Sequence, residues 1–151
     1  CIASLLCLYS YLYKRFMILG KNATRLELSH EVDVAYAALD AKNYAKRIGF
    51  TAKDQYLIST AVSELARNIV TYASKGCIFL STIEQDFKKG IEVVADDSGP
   101  GIQDLEKAML DNFSSRGTLG VGLPGTKRLM DDFKISSSST EGTTVTVRKW
   151  I

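Results

Sequence analysis

Along this chain the spacing of apolar residues switches between a period of two and one of about 3.6, and each switch marks an element. Thr24-Arg-Leu-Glu-Leu28 alternates and predicts a first strand. From Val34 to Ile48, the residues Val34, Ala38, Ala41, Ala45 and Ile48 recur at helical spacing, and Gly49 ends the run. Thr51 is a good N-cap for a second helix over about Ala52 to Ala73, with Asp54 in its first turn complementing the helix dipole. Its apolar stripe is Leu57, Ile58, Ala61, Leu65 and Ile69. Ser74-Lys-Gly76 stops it, and two strands, Cys77 to Glu84 and Ile91 to Asp96, follow around a polar turn from Gln85 to Gly90. Asp104 to Leu110 predicts a short amphipathic helix and Asp111 to Gly120 an aperiodic, mobile loop. Gly122 to Asp132 predicts a further helix, with Pro124 in its permissive first turn. Phe133 to Ser137 and Thr143 to Val147 make a hairpin about Glu141-Gly142. This order of elements predicts an α+β fold: a two-layer sandwich with one mixed, mostly antiparallel sheet and the helices on one face.

Composition removes alternatives more than it adds detail. At 151 residues, 46% hydrophobic and 24% charged, the chain is long enough for one domain with a real core. A net charge of +2 and the lack of any Lys/Arg stripe argue against a nucleic-acid partner. Cys1, Cys7 and Cys77 lack metal-ligand spacing and His30 is the sole histidine, so no zinc set assembles, and a reducing, cytoplasmic setting fits. Cys77 reads as a small buried hydrophobe, and His30 as a packing or surface residue. Cys1 to Tyr13 is almost wholly apolar or aromatic, with Lys14 and Arg15 after it. The run is shorter than the roughly 20 residues a bilayer requires and lacks the order of a secretory signal, so no membrane partner is expected. Residues 1–16 have two readings: a leader upstream of a start at Met17, or an interfacial or partner-binding helix. The domain proper is taken as 17–151.

Three stretches could carry chemistry. Asp96-Asp-Ser-Gly-Pro-Gly101 follows the apolar run Ile91 to Ala95. A carboxylate at the end of a buried strand is fixed in position, and the two glycines allow a sharp turn and close backbone approach, as a reader of a nucleotide base requires. The same letters also suit an ordinary tight turn. On the alternating strand Asp96 points to the face opposite Asp97 and should be replaceable. Glu64 and Asn68, four apart on the second helix, project from one side. A carboxamide oxygen together with substrate phosphates can hold magnesium, and a neighbouring Glu can accept or orient a hydroxyl proton; the alternative is a solvated helix face. Gly120-Val-Gly-Leu-Pro-Gly125 has the letters of a dinucleotide fingerprint, but no strand precedes it, so that reading is rejected. What survives is a glycine-rich entry to a helix N-terminus, suited to phosphates, with Arg116 in the preceding loop able to add charge.

Taken in order, Glu64-Leu-Ala-Arg-Asn68, Asp97-Ser-Gly-Pro-Gly101, Gly120-Val-Gly-Leu123 and Gly142-Thr143 resemble the four motif boxes of the GHKL superfamily, the Bergerat ATP-binding fold, and lie within about eighty residues. The resemblance covers residues 24–149, and the run Gly122 to Asp131 is most similar to the small anti-sigma and switch serine/threonine kinases. It implies an ATP- and Mg2+-dependent kinase acting on a STAS-domain partner, in a stressosome-type switch. It further implies STAS proteins as substrate and scaffold and a PP2C-type phosphatase as a further partner, and leaves homo-oligomerisation open. By resemblance Asp97 binds the adenine amine, Gly99 and Gly101 give room to the nucleotide, and Thr143 supports the base. Asn68 holds the metal, Glu64 is base or orienter, and Gly120, Gly122 and Leu123 line the phosphates. A lid spans Asp111 to Leu119, and Arg116 is assigned to catalysis. The competing class is an anti-sigma-like module that sequesters a sigma factor or STAS partner. A sensor histidine kinase is disfavoured, because no dimerisation helix pair with an acceptor His precedes these motifs in the sequence.

Overall fold

The computed structural model describes residues 22–110 and 122–151. Among them run β1 (Thr24–Leu28), α1 (Glu31–Ile48), α2 (Ala52–Asn68), a π-helical turn (Ile69–Ala73), β2 (Gly76–Gln85) and β3 (Lys88–Asp97). The single turn α3 (Leu105–Ala108), α4 (Gly122–Leu129), β4 (Asp132–Ser138) and β5 (Gly142–Trp150) complete the order. The strands form one sheet, β1-β2-β3-β5-β4. The α+β sandwich is as expected, but every pairing is antiparallel, so the sheet is not mixed. β3 and β4 are each antiparallel to β5, so they run parallel to one another with β5 between them, and the chain crosses from one to the other by way of α3 and α4.

Alternation along the strands sends Leu28, Ile78, Leu80, Ile91, Val93 and Val147 to one face, where they meet the buried stripes of α1 and α2. Alanines 37, 41 and 45 on α1 and Ala61 and Ala66 on α2 are small enough to bring the two helices close over that face. The ends of these helices follow local chemistry. Asp33 accepts from the backbone N–H groups of Ser29 (2.9 Å) and His30 (2.8 Å), and these bonds hold its carboxyl below the usual range. His30 is thus an exposed residue at the start of α1, as expected of it. Thr51 caps α2 by accepting from Asp54 N at 3.2 Å.

Several boundaries differ from the expected ones. α2 ends as an α-helix at Asn68, and the last residues assigned to it form the π-helical turn. The turn between β2 and β3 is only Asp86 and Phe87, both left-handed at φ 51° and 63°, so Gly90 lies inside β3. The helix expected from Asp104 to Leu110 is one turn long. α4 stops at Leu129, whose carbonyl accepts from Lys149 Nζ at 3.1 Å. No helix among the described residues is long and apolar enough to cross a membrane.

Candidate functional site

β3 delivers two adjacent carboxylates to opposite faces of the sheet. Asp96 Oδ1 accepts from Thr144 Oγ1 at 2.8 Å on the face away from the helices. Asp97, on the helix side, accepts from Gly99 N at 2.9 Å and from Thr143 N at 3.3 Å. Both bonds land on Oδ1, so Oδ2 has no hydrogen-bond partner among the described residues and is able to take an incoming donor. Burial raises the pKa of Asp97, the N–H groups of Gly99 and Thr143 oppose that rise, and the charge of Asp96 adds slightly to it.

The loop after Asp97 is clamped by the chain itself. A Cβ on Gly99 would stand 2.6 Å from the Cβ of Ala73 in the π-helical turn. Gly101 is left-handed at φ 75°, and a Cβ there would collide with the carbonyl of Ser138. Both glycines are therefore required by the approach of protein to protein. Ser137, the last residue of the strand predicted from Phe133, is a central strut: its Oγ accepts from Ile102 N at 2.8 Å and bonds Thr143 Oγ1 at 2.8 Å. The Thr143 hydroxyl is thus engaged by Ser137, and Thr143 supports Asp97 through its backbone N–H. The signal for this strut lies in the register, since Thr143 pairs with Ser137 on one side and with Asp97 on the other.

At the other end Glu64 and Asn68 project from α2 next to its buried stripe, and both are half-buried. Glu64 Oε2 accepts from Gly122 N at 3.3 Å, which joins the second-helix motif to the glycine-rich entry of α4. Asn68 makes no hydrogen bond to another described residue, so its carboxamide oxygen is available to a ligand. The π-helical turn that begins just after Asn68 ties this end to Asp97. A Cβ on Gly76 would lie 2.8 Å from Ile69 Cγ2 and 3.1 Å from Asp97 Cβ. π-Helical irregularities gather at functional sites because they reset a helix by one residue. Leu123 is 7% exposed and belongs to the core, so only its backbone can face a phosphate. Thr126, fully buried, donates to Gly122 O at 2.9 Å and braces the start of α4.

Magnesium was expected at Asn68. No group of three or more His, Cys, Asp or Glu converges among the described residues, so the donor set here is one carboxamide oxygen beside a carboxylate. That set fits a cation shared with substrate phosphates, which is how magnesium is commonly held. Gly120, Arg116 and the lid from Asp111 to Leu119 lie outside the described residues.

A family model described as Histidine kinase-like ATPase domain matches residues 28–149, a span containing all of these motifs. The chain belongs to that family. Within this ATPase family it is similar to the serine/threonine-protein kinase RsbT of Bacillus subtilis (strain 168), with 49% identity over 121 residues, 80% of this chain and 91% of RsbT. It is also similar to the anti-sigma F factor of Caldanaerobacter subterraneus subsp. tengcongensis, with 32% identity over 130 residues, 82% of this chain and 90% of that factor. The solved RsbU and RsbW domains of Rv1364c from Mycobacterium tuberculosis share the fold at a TM-score of 0.58 and 16% identity. That match covers 85% of this ATPase-family chain and 32% of the larger one.

Proposed function

We propose that this domain is an ATP- and magnesium-dependent protein serine/threonine kinase that phosphorylates a STAS-domain regulatory partner, as a stressosome-type switch in a partner-switching stress pathway. The observation that carries the reading is the bond from Gly122 N to Glu64 Oε2, which holds a carboxylate at the glycine-rich turn. A helix N-terminus of that kind favours the phosphate end of a nucleotide, opposite the base-reading end at Asp97. Similarity to RsbT supports the same choice.

In this reading Asp97 Oδ2 accepts the adenine amine and Gly122 N–H meets a phosphate oxygen. Asn68 would hold magnesium together with phosphate oxygens, and the ion would supply charge neutralisation for the transferring group. Glu64 takes the proton of the partner's Ser or Thr hydroxyl as that oxygen bonds to the γ-phosphorus, and the bond to the departing ADP oxygen breaks. Arg116 is assigned to the terminal phosphate and Gly120 to the phosphate-lining turn. STAS proteins as scaffold, a PP2C-type phosphatase as the released kinase's target, and a cytoplasmic setting complete the proposal. Similarity to anti-sigma F factors favours a second reading, in which the same nucleotide pocket controls sequestration of a sigma factor or STAS partner. Incubation with γ-labelled ATP and candidate STAS proteins separates the two. Label transferred to one Ser or Thr is the expected result; tight complex formation without label would support the sequestering module instead.

A further inference from the structure

A lysine is buried near the end of β5. Alternation puts Lys149 on the same face as the core residues Val145 and Val147, and its side chain is only 11% exposed. An aliphatic residue would continue that core, whereas lysine is almost never buried unless it is paired. Lys149 is paired three ways. Its Nζ donates to the carbonyl of Leu129, the last residue of α4, at 3.1 Å. It also stands 3.6 Å from Asp131 Oδ1 and 3.9 Å from Asp54 Oδ1, so the three ammonium protons have three oxygens around them. Each carboxylate is aimed by its other oxygen: Asp131 Oδ2 accepts from Trp150 N at 2.8 Å, and Asp54 Oδ2 accepts from Thr51 Oγ1 at 3.0 Å.

The ammonium thus joins the first turn of α2, where Asp54 sits, to the last turn of α4. These are the two helices whose other parts meet in the site, at Glu64 Oε2 and Gly122 N. At 1.5 Å per residue Asp54 and Glu64 are about 15 Å apart along α2, and Leu129 and Gly122 about 10 Å apart along α4. The helix pair is therefore tied at both ends of its contact. Leu123 and Met130 pack this part of the chain into the core, but apolar contact is non-directional and resists a small slide along the axis weakly. A bond to the last carbonyl is directional, and in a helix of eight residues a shift at Leu129 carries through to Gly122. For stability alone the charge is a poor choice, since replacing a buried ion pair by well-packed apolar groups is often neutral or stabilising. What the charge adds is register.

We infer that Lys149 is a positioning residue for the site: it sets the register of α4 against α2 and so places the Gly122 N–H for Glu64 and, on the nucleotide reading proposed above, on which the inference rests, for a phosphate. Lys149 acts from the far end of α4 and is not itself a catalytic residue. Its influence is confined to the phosphate end. Asp97 is held by Gly99 and Thr143, and its loop by Ser137, none of which bonds to Lys149. Thr143 lies six residues back along β5, about 20 Å from Lys149.

Lys149→Met, which keeps the length of the side chain and removes its charge, tests this in the full chain. Affinity for adenosine is set against affinity for ATP with magnesium, both read by displacement of one fluorescent ATP analogue. The expected loss is selective: ATP affinity falls about tenfold, while adenosine affinity stays within about twofold of the parent. A merely structural lysine would not separate the two ligands. If Lys149→Met does not fold, Asp54→Asn keeps the contact with Thr51 and removes a charge facing Lys149, and it should weaken ATP by about threefold with adenosine unmoved. An unchanged ratio of the two affinities would overturn the inference, as would an equal loss for both ligands. A parent chain that binds ATP no more tightly than adenosine would overturn the phosphate reading of the Gly122 turn, and the inference with it.

Discussion

At one end of the site Asp97 is gripped by two backbone N–H groups, and its loop is pinned by Ser137 and by contact of Gly99 with Ala73. At the other end Glu64 has one bond, at 3.3 Å, and Asn68 has none among the described residues. The difference matches the two tasks proposed for the site. Recognition of a flat, uncharged base gains from a rigid acceptor, because little ordering remains to be done on binding. The proposed phosphate end cannot be finished in advance, since its ligands would include the phosphates themselves. In the proposed kinase the Gly122 N–H that Glu64 now occupies is a donor a phosphate would claim, and losing it frees the carboxylate for a hydroxyl proton. In that proposal a base held this way is released only when nucleotide is present.

The strongest way to break this comparison is at the loosely held end. Glu64→Gln keeps the shape and can still accept from Gly122 N, but it cannot take a proton. Transfer to a STAS partner should fall by about 100- to 10,000-fold, with nucleotide affinity changed by less than about threefold. Undiminished transfer would remove Glu64 from the chemistry and leave the 3.3 Å bond as a structural cap.

Asp97→Asn should come next, with an affinity loss of about 100-fold by calorimetry. The bonds from Gly99 and Thr143 would draw the amide oxygen to the Oδ1 position, so the amide nitrogen would face the adenine amine as donor against donor. Stability should move the other way. Burial holds the pKa of Asp97 above its ordinary value of 3.8, so the unfolded state releases this proton first. Ionisation therefore costs folding free energy, the cost is complete above the folded pKa, and it is relieved as pH falls through the window above 3.8. Asp97→Asn should leave Tm unchanged or raise it by up to about 4 °C at neutral pH. In the parent chain nucleotide affinity should fall as pH drops into the same window. A variant that binds ATP normally would sink the base assignment.

Ser137→Ala sharpens the contrast without touching a ligand group. It removes the acceptor for Ile102 N and the partner of the Thr143 hydroxyl, which should cost about 1–2 kcal/mol in denaturant unfolding. Loosening of the loop should weaken nucleotide affinity by roughly 3- to 10-fold, while transfer at saturating ATP stays close to the parent rate. A fall in saturated transfer instead would mean that the two ends are not separable.

Ser137 also marks where sequence reading runs out. The elements follow from periodicity, and the motif residues are visible as residue types: a strand-end Asp, a Glu and Asn one helical turn apart, and a glycine-rich helix entry. The strut is invisible because it depends on the pairing of β4 with β5, and a Ser in a serine run carries no mark of its register. The π-helical turn hides for a related reason, since an apolar stripe that includes Ile69 looks the same whether the helix keeps its period or slips by one residue. Phe87 at φ 63° carries none of the Asn-Gly chemistry that signals a two-residue turn, so the sequence suggests a wider turn than the one that forms. Leu123 belongs by letter to a phosphate motif, yet packing turns its side chain inward. Burial of β3 was legible in the apolar run Ile91 to Ala95.

The smallest expected effect is at Asp96, one residue from Asp97 and on the other side of the sheet. Its Oδ1 accepts from Thr144 Oγ1 at 2.8 Å, a bond the amide oxygen of Asp96→Asn can keep. The only route from Asp96 to the base end is charge, the last of the influences that raise the pKa of Asp97. Removing it should lower that pKa slightly and move the acid limb of nucleotide binding to lower pH, while affinity at neutral pH stays within about twofold of the parent, a change below 0.5 kcal/mol. Calorimetric titration of Asp96→Asn beside Asp97→Asn makes the comparison direct. Equal losses in the two variants would show that the pleat does not separate the carboxylates functionally, and the assignment of base recognition to Asp97 alone would fail.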